Sequence, residues 1–154
     1  AAIAILTSKD AARVAPVYSP GATSLEEWRH SVSGIGAEIW SRRNDLIDLS
    51  TFARSVGIAH LEPLVASLLA ASSRRVPVIL SGTDALAAAL IAQRHDRRAT
   101  SWLALAARAD DPAHTSAADR LGLPVVIAGV VSDAVTRSPI DLAYAHVMAL
   151  LSLQ

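Results

Sequence analysis

Continuous apolar runs along the chain predict strands. Residues 76–80 read Val-Pro-Val-Ile-Leu without a polar interruption, which is typical of a strand covered on both faces, as in a parallel sheet. Residues 100–106 and 123–127 predict two further strands. The short apolar run at residues 1–6 fits either a first strand or the end of a helix that begins upstream, and the strand is favoured. Two prolines and a glycine within residues 14–21 predict an extended loop.

Periodic apolar positions between these runs predict helices. One stripe recurs at intervals of three and four residues and predicts a helix to about residue 43: Leu25, Trp28, Val32, Ile35 and Ile39. The spacing of Thr23 and Glu26 predicts a capping box at its start. Further helices are predicted by periodicity, alanine and leucine content, or helix-starting residues at five places: residues 48–54, 61–69, 84–93, 112–121 and 138–151.

The alternation of strands and helices predicts an α/β fold. Right-handed crossovers then give a three-layer, mostly parallel, Rossmann-like sheet with helices on both faces. The 154 residues fit one domain spanning 1–154. Because the chain starts without methionine, it is expected to be either that whole domain or a fragment of a longer chain.

Composition narrows the classes of partner and cofactor. Fourteen basic and fourteen acidic residues cancel, aromatics are 4%, and the basic cluster at residues 94–98 is too narrow for a nucleic-acid face. The longest apolar run, residues 123–131, is too short to span a membrane. The absence of cysteine excludes disulfides and fits a cytoplasmic protein. The scattered histidines argue against a metal site, and no cofactor is expected.

Two segments combine residues that can bind or transform a ligand. The first, Ser81-Gly82-Thr83-Asp84, follows the 76–80 strand, where an anionic group would meet the N–H donors of a helix. The competing interpretation is structural, since Thr83 or Asp84 would cap that helix without any ligand.

The second segment spans residues 108–114. It gathers Arg108, Asp110, Asp111 and His114 within one loop and helix start, a set that can perform acid–base chemistry if the groups converge. The competing interpretation is that an aspartate caps the helix opened by Pro112 and that His114 is exposed. Separately, residues 19–23, with Gly21 and Thr23, lead into a helix and offer a weak phosphate site without the lysine of a P-loop.

Taken together, these stretches resemble the C-terminal half of the nicotinate-nucleotide:dimethylbenzimidazole phosphoribosyltransferase family. Residues 61–92 are similar to the family's alanine-rich helix, V-P-V strand, glycine turn and second alanine-rich helix. Residues 107–114 are similar to its H-R-S-A-E-P-G-H stretch, keeping Arg108, Pro112 and His114, with Asp111 in place of glutamate. Leu-Gly-Leu at residues 121–123 also matches the family.

The resemblance implies a role in making the lower-ligand nucleotide of cobalamin. Its substrates would be nicotinate mononucleotide and a benzimidazole-type base. The residues it assigns to substrate binding are Gly82, Thr83, Asp84, Arg108, Asp111 and His114, with Gly21 and Thr23 for phosphate. The family's glycine-rich G-E-G-T-G segment carries the catalytic glutamate, but residues 134–138 read Ala-Val-Thr-Arg-Ser. The catalytic residues are therefore unknown, and the chain alone is expected to have little or no transferase activity.

A second hypothesis gives the chain a different class of function. A non-catalytic relative would keep the fold for ligand binding or subunit association, and the apolar stripe from Trp28 to Ile39 would pack against another protomer. A homodimer is the expected assembly. Under the first hypothesis the chain is either divergent or needs a partner chain that supplies the missing half, whereas a stable dimer without ligand binding would favour the second.

Overall fold

The computed structural model describes residues 1–18, 24–42, 44, 48, 51–52, 54, 60–127, 141, 144 and 148. Six α-helices, one 3₁₀ helix and two strands have both ends within these residues and follow one another along the chain. They are α1 (Ala2–Thr7), α2 (Ala11–Val14), α3 (Leu25–Arg42), α4 (Leu61–Ser73), β1 (Val78–Leu80), α5 (Thr83–His95), the 3₁₀ helix (Arg97–Thr100), β2 (Leu103–Leu105) and α6 (Pro112–Leu121).

The strands form a small parallel sheet. β1 pairs with β2 in parallel, with Val78 opposite Leu103 and Leu80 opposite Leu105. On the far side of β2, Leu105 bridges Val125 in parallel. The predicted third strand is thus present as a short parallel pairing, with the Leu105 N–H donating to the Pro124 carbonyl at 2.8 Å. Because helices connect parallel strands, an α/β fold is confirmed.

Helix α5 forms the centre of the core. Seven consecutive residues, Leu86 to Ala92, are buried. A helix that is apolar around its whole circumference is stable only when neighbours cover every side. Here α4, α6, α1 and the 3₁₀ helix all pack against α5.

One face of the sheet is better covered than the other within the described residues. Leu80, Leu103 and Leu105 share a face in this register and are buried. Ile79 and Ala104 point to the opposite face and are half-buried. Helices over both faces therefore stay a prediction.

The prediction of a strand at residues 1–6 is wrong. These residues form α1, which packs on α5 and α6 with Ala2 to Leu6 buried, and ends at Ser8 in the left-handed conformation at φ 55°. A short apolar run has no period that separates a buried strand from a buried helix. Three alanines, the strongest helix formers, agree with the observed state.

Helix α3 agrees with its predicted extent, but its cap lies one residue further along. The Glu27 N–H donates to Ser24 Oγ at 3.1 Å, and the Ser24 N–H donates to Glu27 Oε2 at 2.9 Å. This reciprocal pair is the capping box, formed by Ser24 and Glu27 rather than by Thr23 and Glu26. No residue of α3 is buried, and its predicted stripe is half-covered by α2 and α1.

The other predicted elements differ mainly at their ends. The strand predicted at 100–106 is shorter, because Arg97–Thr100 forms the 3₁₀ helix, and the 76–80 strand begins at Val78. The extended loop predicted from residue 14 begins after Val14, which ends α2. Most of the helices predicted at 48–54 and 138–151 lies outside the described residues. Thr51, Phe52 and Arg54 of the first are helical, as are Asp141, Tyr144 and Met148 of the second.

Candidate functional site

Two strand-to-helix turns lie side by side at the carboxyl edge of the sheet. One follows β1 and leads into α5, and the other follows β2 and leads into α6. Thr83 Oγ1 at the start of α5 donates to Asp111 Oδ2 at the start of α6 over 3.4 Å. The structure thus brings together two residues that the sequence placed 28 positions apart.

Gly82 gives the first turn its shape. Its φ is 85° and its ψ 161°, a backbone conformation that side-chain-bearing residues rarely adopt. A Cβ added there would meet nothing within 4 Å, so conformation rather than space requires the glycine. Gly82 is itself the N-cap of α5, and no side chain caps the helix. The expectation that Thr83 or Asp84 caps α5 is therefore wrong, and within the described residues the N–H groups of its first turn have no side-chain acceptor.

Asp84 has a different partner. His60, just before α4, lies with Nε2 2.9 Å from Asp84 Oδ2. Both side chains are more than half exposed, so solvent screens the interaction. Nothing in the local sequence indicates this pair, because it depends on how α4 packs on α5.

Asp111 caps α6, as one interpretation of the sequence expected. Its Oδ2 accepts the His114 N–H at 2.9 Å, and Pro112 opens the helix. The same oxygen accepts from Thr83, so the cap also joins the two turns.

His114 is not exposed, which corrects the second part of that interpretation. Its side chain is 4% accessible, and among the described residues its Nδ1 has no hydrogen-bond partner. Burial lowers the pKa of the imidazole below its usual 6.5; the Asp111 carboxylate acts in the opposite direction, and the Arg108 guanidinium lowers it further. The neutral imidazole is therefore favoured near pH 7.

Arg108 forms its ion pair outside the predicted acid–base cluster. Its Nη1 donates to Asp119 Oδ1 at 2.7 Å, across the turn to the last part of α6. Asp110 is exposed. Of the predicted acid–base cluster, only Asp111 and His114 are in direct contact, through the backbone N–H of His114.

A cavity of about 230 Å³ opens beside the first turn. Its polar wall carries two carboxylates and a hydroxyl, those of Glu38, Asp84 and Thr83. The remaining wall is apolar: Ala1, Ala2, Ile3, Val14, Ala87 and Ala113. Sequence reasoning did not single out Glu38, whose carboxylate also pairs with Arg42 at 3.1 Å.

Gly21 and Thr23, the predicted phosphate-binding residues, lie outside the described residues. Across the described part of the chain, no group of three or more His, Asp or Glu side chains is arranged to hold a metal ion. None of the helices described is both long and apolar enough to cross a membrane.

Fold and site together define an α/β protein with a small cleft at the carboxyl edge of a parallel sheet, where such folds bind ligands. A family model described as phosphoribosyltransferase matches residues 1–132. The chain belongs to the nicotinate-nucleotide:dimethylbenzimidazole phosphoribosyltransferase family, which confirms the resemblance drawn from its motifs.

Individual relatives agree with this assignment. The enzyme of that name from Corynebacterium efficiens is 35% identical over 106 residues, covering 68% of this chain and 29% of the relative. Its counterpart from Streptomyces avermitilis is 30% identical over 131 residues, covering 83% of this chain and 34% of the relative. The chain thus spans about a third of the length of these curated relatives.

A solved structure has the same fold. The crystal structure of CobT from Thermus thermophilus matches with a TM-score of 0.68 at 18% identity. The match covers 94% of this chain and 45% of that one.

Proposed function

We propose that this chain forms one wall of the substrate cleft of a phosphoribosyltransferase-like protein in cobalamin lower-ligand synthesis. Its ligands would be nicotinate mononucleotide and a benzimidazole-type base. The observation that carries the proposal is the Thr83–Asp111 contact, because it draws the two turns that match the family into one cleft.

Each of the two turns would contact a different part of the ligand. The N–H groups at the start of α5 would bind the phosphate, because Gly82, the N-cap, has no side chain to accept their hydrogen bonds. Gly21 and Thr23 would also bind the phosphate. Asp84 and Asp111 would line the remainder of the ligand. Arg108, now paired with Asp119, and the buried His114 would have to reorient to reach it. A neutral His114, as its lowered pKa favours, can donate or accept one hydrogen bond without adding charge.

We infer that the chain alone has little or no transferase activity. In the reaction, a ring nitrogen of the base attacks C1′ of the nucleotide, nicotinate leaves, and the attacking ring loses a proton. General-base catalysis contributes typically about 10²–10⁴-fold, and residues 134–138 carry no carboxylate at the family's motif position. Formation of α-ribazole phosphate at an ordinary enzymatic rate by the isolated chain would contradict this inference.

Ligand binding is tested by thermal unfolding with nicotinate mononucleotide and, separately, dimethylbenzimidazole. A ligand at a hundred times its Kd adds about 2.7 kcal/mol, which corresponds to roughly 5–10 °C in Tm for a chain of this size. Thr83→Val should reduce the shift, and Thr83→Ser, which restores the hydroxyl, should recover it. Absence of any shift at millimolar concentrations of either compound would refute the proposed ligands.

The alternative, a non-catalytic relative that associates into a homodimer, is favoured by one observation. Helix α3 buries none of its 18 residues, and Leu25 on its stripe is 45% exposed. Light scattering of the wild type and Leu25→Glu tests it, with the exposed Ser33→Glu as the matched control. A monomeric wild type would exclude the homodimer; a dimer that Leu25→Glu alone dissociates would support it.

Two further features belong to the same proposal. The domain would carry helices on both faces of its parallel sheet, as a Rossmann-like arrangement requires. The lack of cysteine favours a cytoplasmic location.

A further inference from the structure

A second, larger cavity lies at the opposite edge of the sheet from the candidate site. Its volume is about 550 Å³, and three arginines and a glutamine, together with Leu6 and Leu90, line it: Gln93, Arg94, Arg97 and Arg120. The arginines come from the last turn of α5, the 3₁₀ helix and the last turn of α6.

Topology separates this cavity from the proposed substrate cleft. Helix α5 starts at the carboxyl end of β1 and runs back to the amino end of β2. At 1.5 Å per residue along this helix, Arg94 lies about 16 Å from Thr83. A ligand in the arginine-lined cavity would therefore be distinct from one at the turns.

The three guanidinium groups lack partners within the part of the chain that the structure describes. The ion pairs there involve Arg42, Arg54, His60 and Arg108 instead. The neighbouring carboxylate, Asp96, accepts the backbone N–H of Arg98 at 2.9 Å and so caps the 3₁₀ helix. Three positive charges thus line one cavity, and none of them forms an ion pair with a carboxylate of the described residues.

We propose that this cavity is a binding site for a small soluble polyanion carrying two or more phosphate groups. Guanidinium groups bind phosphate oxygens with paired N–H donors, and three of them from separate elements surround a space large enough for a small ligand. Gln93 adds a neutral donor and acceptor. The site does not depend on the proposed transferase function.

A purely structural role for the arginines is the competing explanation. Arg94 and Arg120 lie in last turns, where a cation interacts favourably with the helix dipole. That role accounts for each arginine alone and predicts no ligand. It does not explain why Arg97, from a short 3₁₀ helix, lines the same cavity as Arg94 and Arg120.

Titration of the ¹⁵N-labelled chain with inorganic pyrophosphate, in metal-free buffer and followed by NMR, tests the proposal. The Nε–Hε signals of Arg94, Arg97 and Arg120 should shift and saturate, while that of Arg29, exposed on α3, should not. Sulfate at equal ionic strength provides the reference for unspecific anion effects.

Variants assign the site independently of the spectra. Each of Arg94→Gln, Arg97→Gln and Arg120→Gln should weaken pyrophosphate binding about tenfold, the equivalent of one lost charge-assisted interaction. Arg29→Gln, at an exposed arginine outside both proposed sites, should leave the affinity unchanged. Circular dichroism tests whether each variant is folded. If a variant does not fold, the arginine signals of the wild type decide the outcome.

The proposal is overturned by any of three results. These are no saturable shift with millimolar pyrophosphate, equal shifts at all arginines including Arg29, or an affinity that the three glutamine variants leave unchanged.

Discussion

The double role of Asp111, as helix cap and as link between the two turns, makes it the most informative residue to change. Its Oδ2 accepts the His114 N–H at 2.9 Å and the Thr83 hydroxyl at 3.4 Å. Asp111→Ala removes both acceptors, whereas Asp111→Asn keeps an amide oxygen that can cap nearly as well as a carboxylate. The pair of variants therefore separates loss of the cap from loss of the charge.

The expected cost follows from the first contact. Loss of an N-cap acceptor destabilises a protein by typically about 1 kcal/mol, within a range of roughly 0.5–2. The contact to Thr83 is long and adds little. For a chain of this size, 1 kcal/mol lowers Tm by about 2–4 °C. Asp111→Ala should show that decrease, and Asp111→Asn should stay close to the wild type.

Two measurements check this reasoning. Calorimetry gives Tm, and an NMR titration gives the pKa of His114, which should fall in both variants because the Asp111 carboxylate raises it in the wild type. An unchanged Tm in Asp111→Ala, or an equal loss in Asp111→Asn, would refute the capping role. An unchanged His114 pKa in both variants would refute the electrostatic coupling.

Three further predictions test the core, a helix end and a buried imidazole. The pKa of His114 is lowered on folding, so the unfolded state binds more protons than the folded state below about pH 6.5. The unfolding free energy should therefore fall as the pH decreases below that value. Urea titrations at several pH values should show a weaker pH dependence for His114→Gln. Gly122 ends α6 in the left-handed conformation at φ 62°, so Gly122→Ala should cost about 1 kcal/mol in denaturant unfolding, and a neutral result would contradict the strain argument. Leu86, fully buried in α5, should cost about 2–5 kcal/mol when changed to alanine, and a loss below about 1 kcal/mol would mean that its surroundings collapse onto the cavity.

Helix α6 illustrates how far local signals reach. Its observed bounds, Pro112–Leu121, are the predicted ones. Proline occupies the first position of the helix, an aspartate before it accepts a free N–H group, and a glycine after the last residue ends it. All three signals lie within or next to the ends of the helix. The long stripe of α3 was equally readable from its spacing. Elements whose limits depend on adjacent residues are the ones that sequence patterns predict well.

Helix α1 illustrates where those signals stop. Six apolar residues without a polar interruption fit a buried strand or a buried helix equally, and contact with α5 and α6 accompanies the helical state. His114 is a similar case, since the position of one imidazole on a helix does not reveal that neighbouring elements bury it.

The amino-acid sequence by itself determined the α/β class, the family, the main helices and the two turns that face each other at the sheet edge. The carboxyl ends of parallel strands lie at one edge of the sheet, so the turns after two strands that pair are neighbours. Only the tertiary structure decided the pairings: Thr83 with Asp111, His60 with Asp84, Arg108 with Asp119, and three arginines around one cavity. These contacts join residues from different parts of the chain. The distances between their atoms are set by how whole helices pack, and no local sequence pattern encodes that packing.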